Sequence, residues 1–307
     1  SRNHFDINLQ QSHGHDEIGT GRTEGGFDWE NRIKPEEPDE YDQTDADVKY
    51  TFGARDARGR LVVRDIYMDR DYANHRHDLI NGTTRLDRTE NEVRTTAYLR
   101  VQPKTSVLLE AREKDIDYDK SYHSLLAAGA SPVMDSDESR VYVGAEWEAT
   151  AKTTGSVRFG HMEKDFREPQ AVKAPVDDYD MPSWETTITW KPRTYSSFTL
   201  NTSRGFVEST SGDAVIDRTD VGLKWKHEWS SLMGSNVFIQ RYSDEYKSFS
   251  NIARSDVVLR AGAGLTYDMT EWAALSADYV FEDRNSTMNT KDYTRNLLVF
   301  GVDFKFD

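Results

Sequence analysis

Segments of roughly ten residues in which apolar and polar side chains alternate recur along the 307-residue chain, and this repeat limits the fold more than any other feature. The clearest are 92–102 (EVRTTAYLRVQ), 140–148 (RVYVGAEWE), 184–191 (WETTITWK), 220–226 (DVGLKWK), 256–267 (DVVLRAGAGLTY) and 272–282 (WAALSADYVFE). A period of two marks a β-strand with one apolar face. In the first segment Val93, Ala97, Leu99 and Val101 oppose Glu92, Arg94, Thr96 and Arg100. The last fifteen residues, YTRNLLVFGVDFKFD, repeat the pattern with Leu298, Phe300, Val302, Phe304 and Phe306 on one face.

The connections fall into two alternating classes. Tight ones lie at 102–105, 149–154, 191–194, 227–231 and 268–271; long, charged ones lie at 69–87, 115–138, 163–182, 205–218, 242–254 and 283–291. Short turns on one side and long loops on the other is how outer-membrane β-barrels are built, with the long loops outside. The tight turns are bracketed by Trp190 and Tyr195, Trp225 and Trp229, and Tyr267 and Trp272. Such rings favour a membrane interface, so they predict a periplasmic aromatic girdle. One alternating segment alone fits a half-buried strand of a soluble sheet, with paired rings as cross-strand packing. The combination of many strands and two loop classes points instead to an all-β, transmembrane, antiparallel up-and-down barrel.

Composition agrees. Only 36% of the chain is hydrophobic and 30% is charged, too little apolar material for an ordinary core of this length, yet 7 Trp, 15 Tyr and 13 Phe exceed what a disordered chain carries. A formal charge of −15 argues against a nucleic-acid partner, and the absence of Cys excludes disulfides and thiolate metal sites. No stretch approaches the roughly 18 apolar residues of a membrane helix. Counting back from the terminal strand gives about fifteen strands, the first at 4–10, which is expected to descend toward the periplasm. Bacterial barrels hold an even number with both termini periplasmic, so one or three strands are expected before it, for a total of about 18 with 16 as the alternative. The whole of 1–307 is thus expected to be one outer-membrane barrel domain lacking its N-terminal strand or strands.

The stretch 40–71, with TFGARDARGRLVVRDIYMDRDY, and LDRTENEVRTTAYLRVQPKTSVLLEAREKDIDYD at 86–119 resemble the putative β-barrel porin type 2 family. The features carrying the likeness are Ala57-Arg58-Gly59-Arg60 at a hairpin, Asp87-Arg88-Thr89-Glu90 at the start of a strand, and Pro103-Lys104-Thr105 in the turn after it. The family is associated with exopolysaccharide synthesis and export clusters. The resemblance implies a barrel in the bacterial outer membrane, in contact with lipid and lipopolysaccharide, with a polysaccharide cargo and periplasmic export proteins as partners.

No GxSxG, P-loop, HExxH or GxGxxG stands in a suitable context, so no enzyme and no cofactor is expected. His13, His15 and Asp16, and His75, His77 and Asp78, have metal-like spacing but read as solvated loops, so no metal site is expected. The acidic runs 135–138 and 177–180 carry the hard oxygen ligands that Ca²⁺ takes, with surface solvation as the simpler role. The informative residues are those of the polar parity, expected to line the lumen: Glu92, Arg94, Tyr98, Arg100, Glu110, Arg112, Tyr142, Glu146, Arg158, Lys224, Arg260, Asp278, Arg295 and Asp303. Mixed charge with rings such as Tyr98, Tyr142 and Phe238 suits a hydrated conduit for sugars, although charges that simply pair across strands explain the same pattern. Three functions follow: an exopolysaccharide export porin, a general or oligosaccharide diffusion porin constricted by an inward loop (115–138 or 163–182), and a non-transport sheath or scaffold.

Overall fold

The structure, a computed structural model, describes residues 2–24, 37–54, 57–77, 82–119, 135–150, 152–167, 178–210, 215–247 and 253–304. The strands are β1 (Asn3–Asp16), β2 (Asp39–Phe52), β3 (Gly59–Tyr72), β4 (Arg88–Gln102), β5 (Thr105–Tyr118), β6 (Ser136–Thr150), β7 (Thr153–Phe166), β8 (Tyr179–Arg193), β9 (Ser196–Val207), β10 (Val215–Glu228), β11 (Met233–Lys247), β12 (Arg254–Thr270), β13 (Ala273–Ser286) and β14 (Tyr293–Phe304). All belong to one antiparallel sheet in which each pairs only with its neighbours in sequence. This is the up-and-down order that alternating short and long connections require.

Two sequence-based expectations are corrected. The described residues hold 14 strands rather than about fifteen. With an even count β1 runs from the tight-turn end to the long-loop end, opposite to β14, so the strand at 4–10 ascends. The argument for an odd number of strands before it falls with that. Among the described residues β1 and β14 are not hydrogen-bonded to each other, and in hydrocarbon each free edge needs a partner.

Strands of 12 to 17 residues are longer than expected, because alternation continues past the apolar band. Fourteen residues at ~3.3 Å each, tilted by ~40°, rise about 35 Å, some 10 Å more than the ~25 Å band. On β5 the outer face changes accordingly from Val107, Leu109 and Ala111 to Glu113, Asp115 and Asp117, so the two ends of the expected loop, 115–118 and 136–138, are strand. Phe306 lies outside the described residues.

The curvature is fixed by contacts that skip strands. Arg112 on β5 reaches Glu185 on β8 at 2.7 Å, and Tyr142 on β6 meets Ser183 on β8 at 2.7 Å. Such contacts exist only on a concave face. The convex face carries Leu9, Val143, Leu298 and Phe300, each 60–74% exposed. At its tight-turn end Trp190, Phe198 and Trp225 stack at 5.5 and 6.2 Å, and Trp272 stacks on Phe304 at 6.1 Å, which forms the expected band of rings. Among the described residues conventional apolar packing forms small clusters, chiefly Met162, Phe166, Met181, Phe206 and Val215. That is why so little of the chain needs to be hydrophobic.

Candidate functional site

The concave wall is built from Glu-x-Arg units. Period two puts both members of Glu92-Val93-Arg94, Glu110-Ala111-Arg112 and Glu138-Ser139-Arg140 on one face. Pairing register then aligns Lys49, Arg64, Arg94, Arg112 and Arg140 directly across β2 to β6. Like charges so placed repel unless each has its own acid. Each does: Lys49 meets Asp6 at 2.8 Å, Arg64 meets Asp47, Arg94 meets Glu92, Arg112 holds Glu110 at 2.5 Å and Glu185 at 2.7 Å, and Arg140 holds Glu138 at 2.5 Å. The wall is thereby charged but locally neutral.

All fourteen candidate lumen residues lie on this concave register. On β4 to β7 they are Glu92, Arg94, Tyr98, Arg100, Glu110, Arg112, Tyr142, Glu146 and Arg158; on β10 and β12 to β14 they are Lys224, Arg260, Asp278, Arg295 and Asp303. They are not one cluster. Glu110 gathers Arg112, Arg158 at 3.4 Å and the Thr96 hydroxyl at 2.8 Å. Glu282, absent from the sequence-based set, gathers Arg260 at 2.8 Å and Arg295 at 3.0 Å. The rings are less open than the sequence suggests: the Arg60 guanidinium lies 4.1 Å from the Tyr98 ring centre and that of Arg112 lies 4.8 Å from Tyr142. Phe238 lies flat against Gly262, where a Cβ would strike the ring.

The long-loop end holds what sequence reasoning missed. Short 3-10 turns at Gly21–Thr23 and Thr83–Leu86 fold inward. Gly21 packs against Thr210, and Arg85 donates to the Thr210 carbonyl at 3.4 Å, so the β1–β2, β3–β4 and β9–β10 connections meet inside the curve of the sheet. Arg22 binds Asp39 at 2.6 Å, and His75 meets the same carboxylate at 2.8 Å. Glu24 crosses to the opposite wall, where it accepts from Arg254 at 2.6 and 2.9 Å and Arg284 at 2.8 Å and lies 3.4 Å from Lys291. Burial alone would raise the Glu24 carboxyl; Arg254, with Lys291 and Arg284, overcomes this and holds it below the ordinary glutamate value. Burial lowers the Arg85 guanidinium below the ordinary arginine value. Among the described residues the inward segments are 17–24, 82–87 and 208–210; of the expected inward loops 115–138 and 163–182, residues 120–134 and 168–177 lie outside the described residues.

The suspected histidine clusters separate. His13 pairs with Asp42 at 2.9 Å on the convex face, whereas alternation sends Asp16 to the concave side, where it accepts from the Tyr72 hydroxyl at 2.7 Å. His75 serves Asp39, and Asp78 is outside the described residues. In the acidic runs, Asp135 accepts from the Tyr118 amide at 2.8 Å, Glu138 pairs with Arg140, Asp180 lies 3.5 Å from His161, and Asp177 is outside the described residues. Asp71, Asp87 and Asp119 offer carboxylate oxygens within 4.8 Å of one another, but Asp87 is already engaged by Arg76 at 2.7 Å and by the Tyr72 amide at 2.8 Å.

Solved structures share the fold. The outer membrane channel DcaP of Acinetobacter baumannii aligns with a TM-score of 0.52 at 11% identity, covering 98% of this chain and 97% of that one. The apoprotein form of the FrpB iron transporter of Neisseria meningitidis aligns at 0.53 and 9% identity, covering 93% and 49%, and the copper transporter OprC at 0.52 and 10%, covering 87% and 50%. The chain spans about half the length of these two transporters. A sequence search of curated proteins gives no match. The family model described as putative beta-barrel porin 2 matches residues 28–306, nearly the whole chain, and the protein therefore belongs to that family of bacterial outer-membrane β-barrel porins.

Proposed function

We propose that this porin exports an exopolysaccharide, passed as an extended chain along the concave wall from periplasm to surface. The observation that carries the reading is a wall of paired charges of both signs that follows the register over many strands. Such a wall offers a polyol many weak hydrogen bonds and no single deep well, and a polymer slides only where binding is graded. The protein acts as a conduit and not as a catalyst. Lipopolysaccharide surrounds the acidic outer rim, and periplasmic export proteins feed the tight-turn end. The family resemblance supports the cargo. In planar bilayers the purified protein should conduct ions, and the polymer added on one side should interrupt the current. A deletion strain should lose surface polymer and regain it with the gene restored; unchanged surface polymer in the deletion strain would refute export.

A second reading, a diffusion porin for oligosaccharides, is favoured by the inward turns at Gly21–Thr23 and Thr83–Leu86. Size-limited uptake of short sugars by the wild type, with no change in surface polymer on deletion, would select it.

A further inference from the structure

A cavity of about 370 Å³ lies between the 17–24 segment and the inner wall of β10 to β14. Its size falls in the range of small-molecule sites, roughly 300–1,000 Å³. Charged side chains surround it, and most are neutralised by a charged neighbour, whereas Asp16 accepts from the Tyr72 hydroxyl at 2.7 Å. Arg218 holds Asp244 at 2.7 Å through both arms. Glu208 takes Lys164 at 2.5 Å and the Tyr118 hydroxyl at 2.8 Å. Glu24 is bound by Arg254 and Arg284, Glu282 by Arg260, Arg295 and Tyr293, and Glu17 by Arg295. An anionic ligand would enter with no free cation to meet it, at a desolvation cost the site does not offset.

What the cavity does leave open are two hydroxyls. Tyr242 and Tyr246 both line it, and neither hydroxyl has a hydrogen-bond partner among the described residues. Their rings are fixed from behind: the Arg218 guanidinium lies 4.4 Å from the Tyr242 ring centre, and that of Arg254 lies 3.8 Å from Tyr246. Rigid hydroxyls that both donate and accept, set beside carboxylate oxygens with spare lone pairs, match a ligand that does the same and carries no charge. Because these ring faces are covered by arginine, recognition runs through hydroxyls rather than through stacking.

We propose that this cavity is a recognition subsite for a neutral sugar unit, placed at the long-loop end of the conduit. The proposal rests on the saccharide-conduit reading for its biological role, but its chemistry is testable without transport. Isothermal titration of the full chain in detergent with a neutral glucose tetramer and with a galacturonate tetramer reads it directly. The neutral tetramer should bind at least about tenfold more tightly. Tyr242→Phe with Tyr246→Phe should weaken that binding by about tenfold, the loss expected for two hydrogen bonds of modest net strength. Heat-modifiable mobility reports whether the variant is folded; if it is not, the comparison of the two tetramers on the unaltered protein still decides. Equal or tighter binding of the galacturonate, no binding of the neutral tetramer, or undiminished binding by a folded variant would overturn the proposal. Bilayer recordings separate the two readings: tetramer binding without any ion conductance would sink the conduit and leave the subsite standing.

Discussion

Replacing Phe300 by Arg tests the sidedness of the wall at one residue. Phe300 is 74% exposed on the convex face and sits four residues up β14 from Phe304, which stacks on Trp272 in the band of rings. Four residues at ~3.3 Å, tilted by ~40°, place it about 10 Å above that band, near the middle of a ~25 Å hydrocarbon layer. A cation there costs about 2 to 4 kcal/mol, or roughly thirtyfold to several hundredfold in the folding equilibrium. The neighbouring Val299 faces the concave side directly opposite Asp278. Val299→Arg gains an acidic partner in water and should cost well under 1 kcal/mol. Urea titration of both variants refolded into lipid vesicles measures the difference. Equal losses at the two positions, or the larger loss at Val299, would refute the assignment of faces.

Glu24→Gln should loosen the inward segment and raise single-channel conductance. The Glu24 carboxyl is held below its ordinary value of 4.5, so its attraction for Arg254 is complete above that pH and fades as pH falls through the lowered value. Wild-type conductance should therefore rise in acid below about pH 4.5, and the Gln variant should lose that step. Glu138→Ala leaves Arg140 and the fully buried Lys164 without a carboxylate each holds, and should cost about 3 kcal/mol or more in urea titrations. Gly160→Ala drives a Cβ into the Val141 carbonyl and the Tyr142 ring and should cost about 1 to 3 kcal/mol by the same assay. Reversing Arg94, Arg100 and Arg260 together to Glu should move the bilayer reversal potential toward cation selectivity. That shift should shrink as the screening length falls from about 10 Å at 0.1 M to about 3 Å at 1 M salt.

Much of the wall was legible because period two is a local property. Val93 and Arg94 must face opposite ways wherever the strand lies, so the polar parity could be read without knowing a single pairing. The alternation of 102–105 with 115–138 likewise implied strand order, since a two-residue turn leaves only the neighbouring strand in reach. Direction was harder. One strand too many in the count reversed β1, because sidedness is inherited from strand to strand and one error flips every earlier element. The Glu-x-Arg units were visible at 92–94, 110–112 and 138–140, and could have predicted a self-neutralised wall. Their alignment into a row depends on register, which sequence does not show. The inward segments were hidden for a different reason. Glu24 and Arg85 stand in polar, loop-like surroundings, and a loop that buries its charges against a distant wall reads the same as one dissolved in water. Only the arrival of Arg254 and Arg284, some 230 and 260 positions later in the chain, distinguishes the two.

The central claim is that one face of this sheet meets lipid and the other meets water. The chain contains no Cys, so single cysteines can be placed along β4 at 93 to 100 and along β12 at 257 to 264 in an otherwise thiol-free protein. Labelling in lipid vesicles by a charged, membrane-impermeant maleimide should alternate with period two, with Arg94, Tyr98, Arg100 and Arg260 positions modified and Val93, Ala97, Leu99, Leu259 and Ala261 positions protected. Uniform labelling along both strands, or modification of the Leu99 and Leu259 positions in preference to those of Tyr98 and Arg260, would contradict the account.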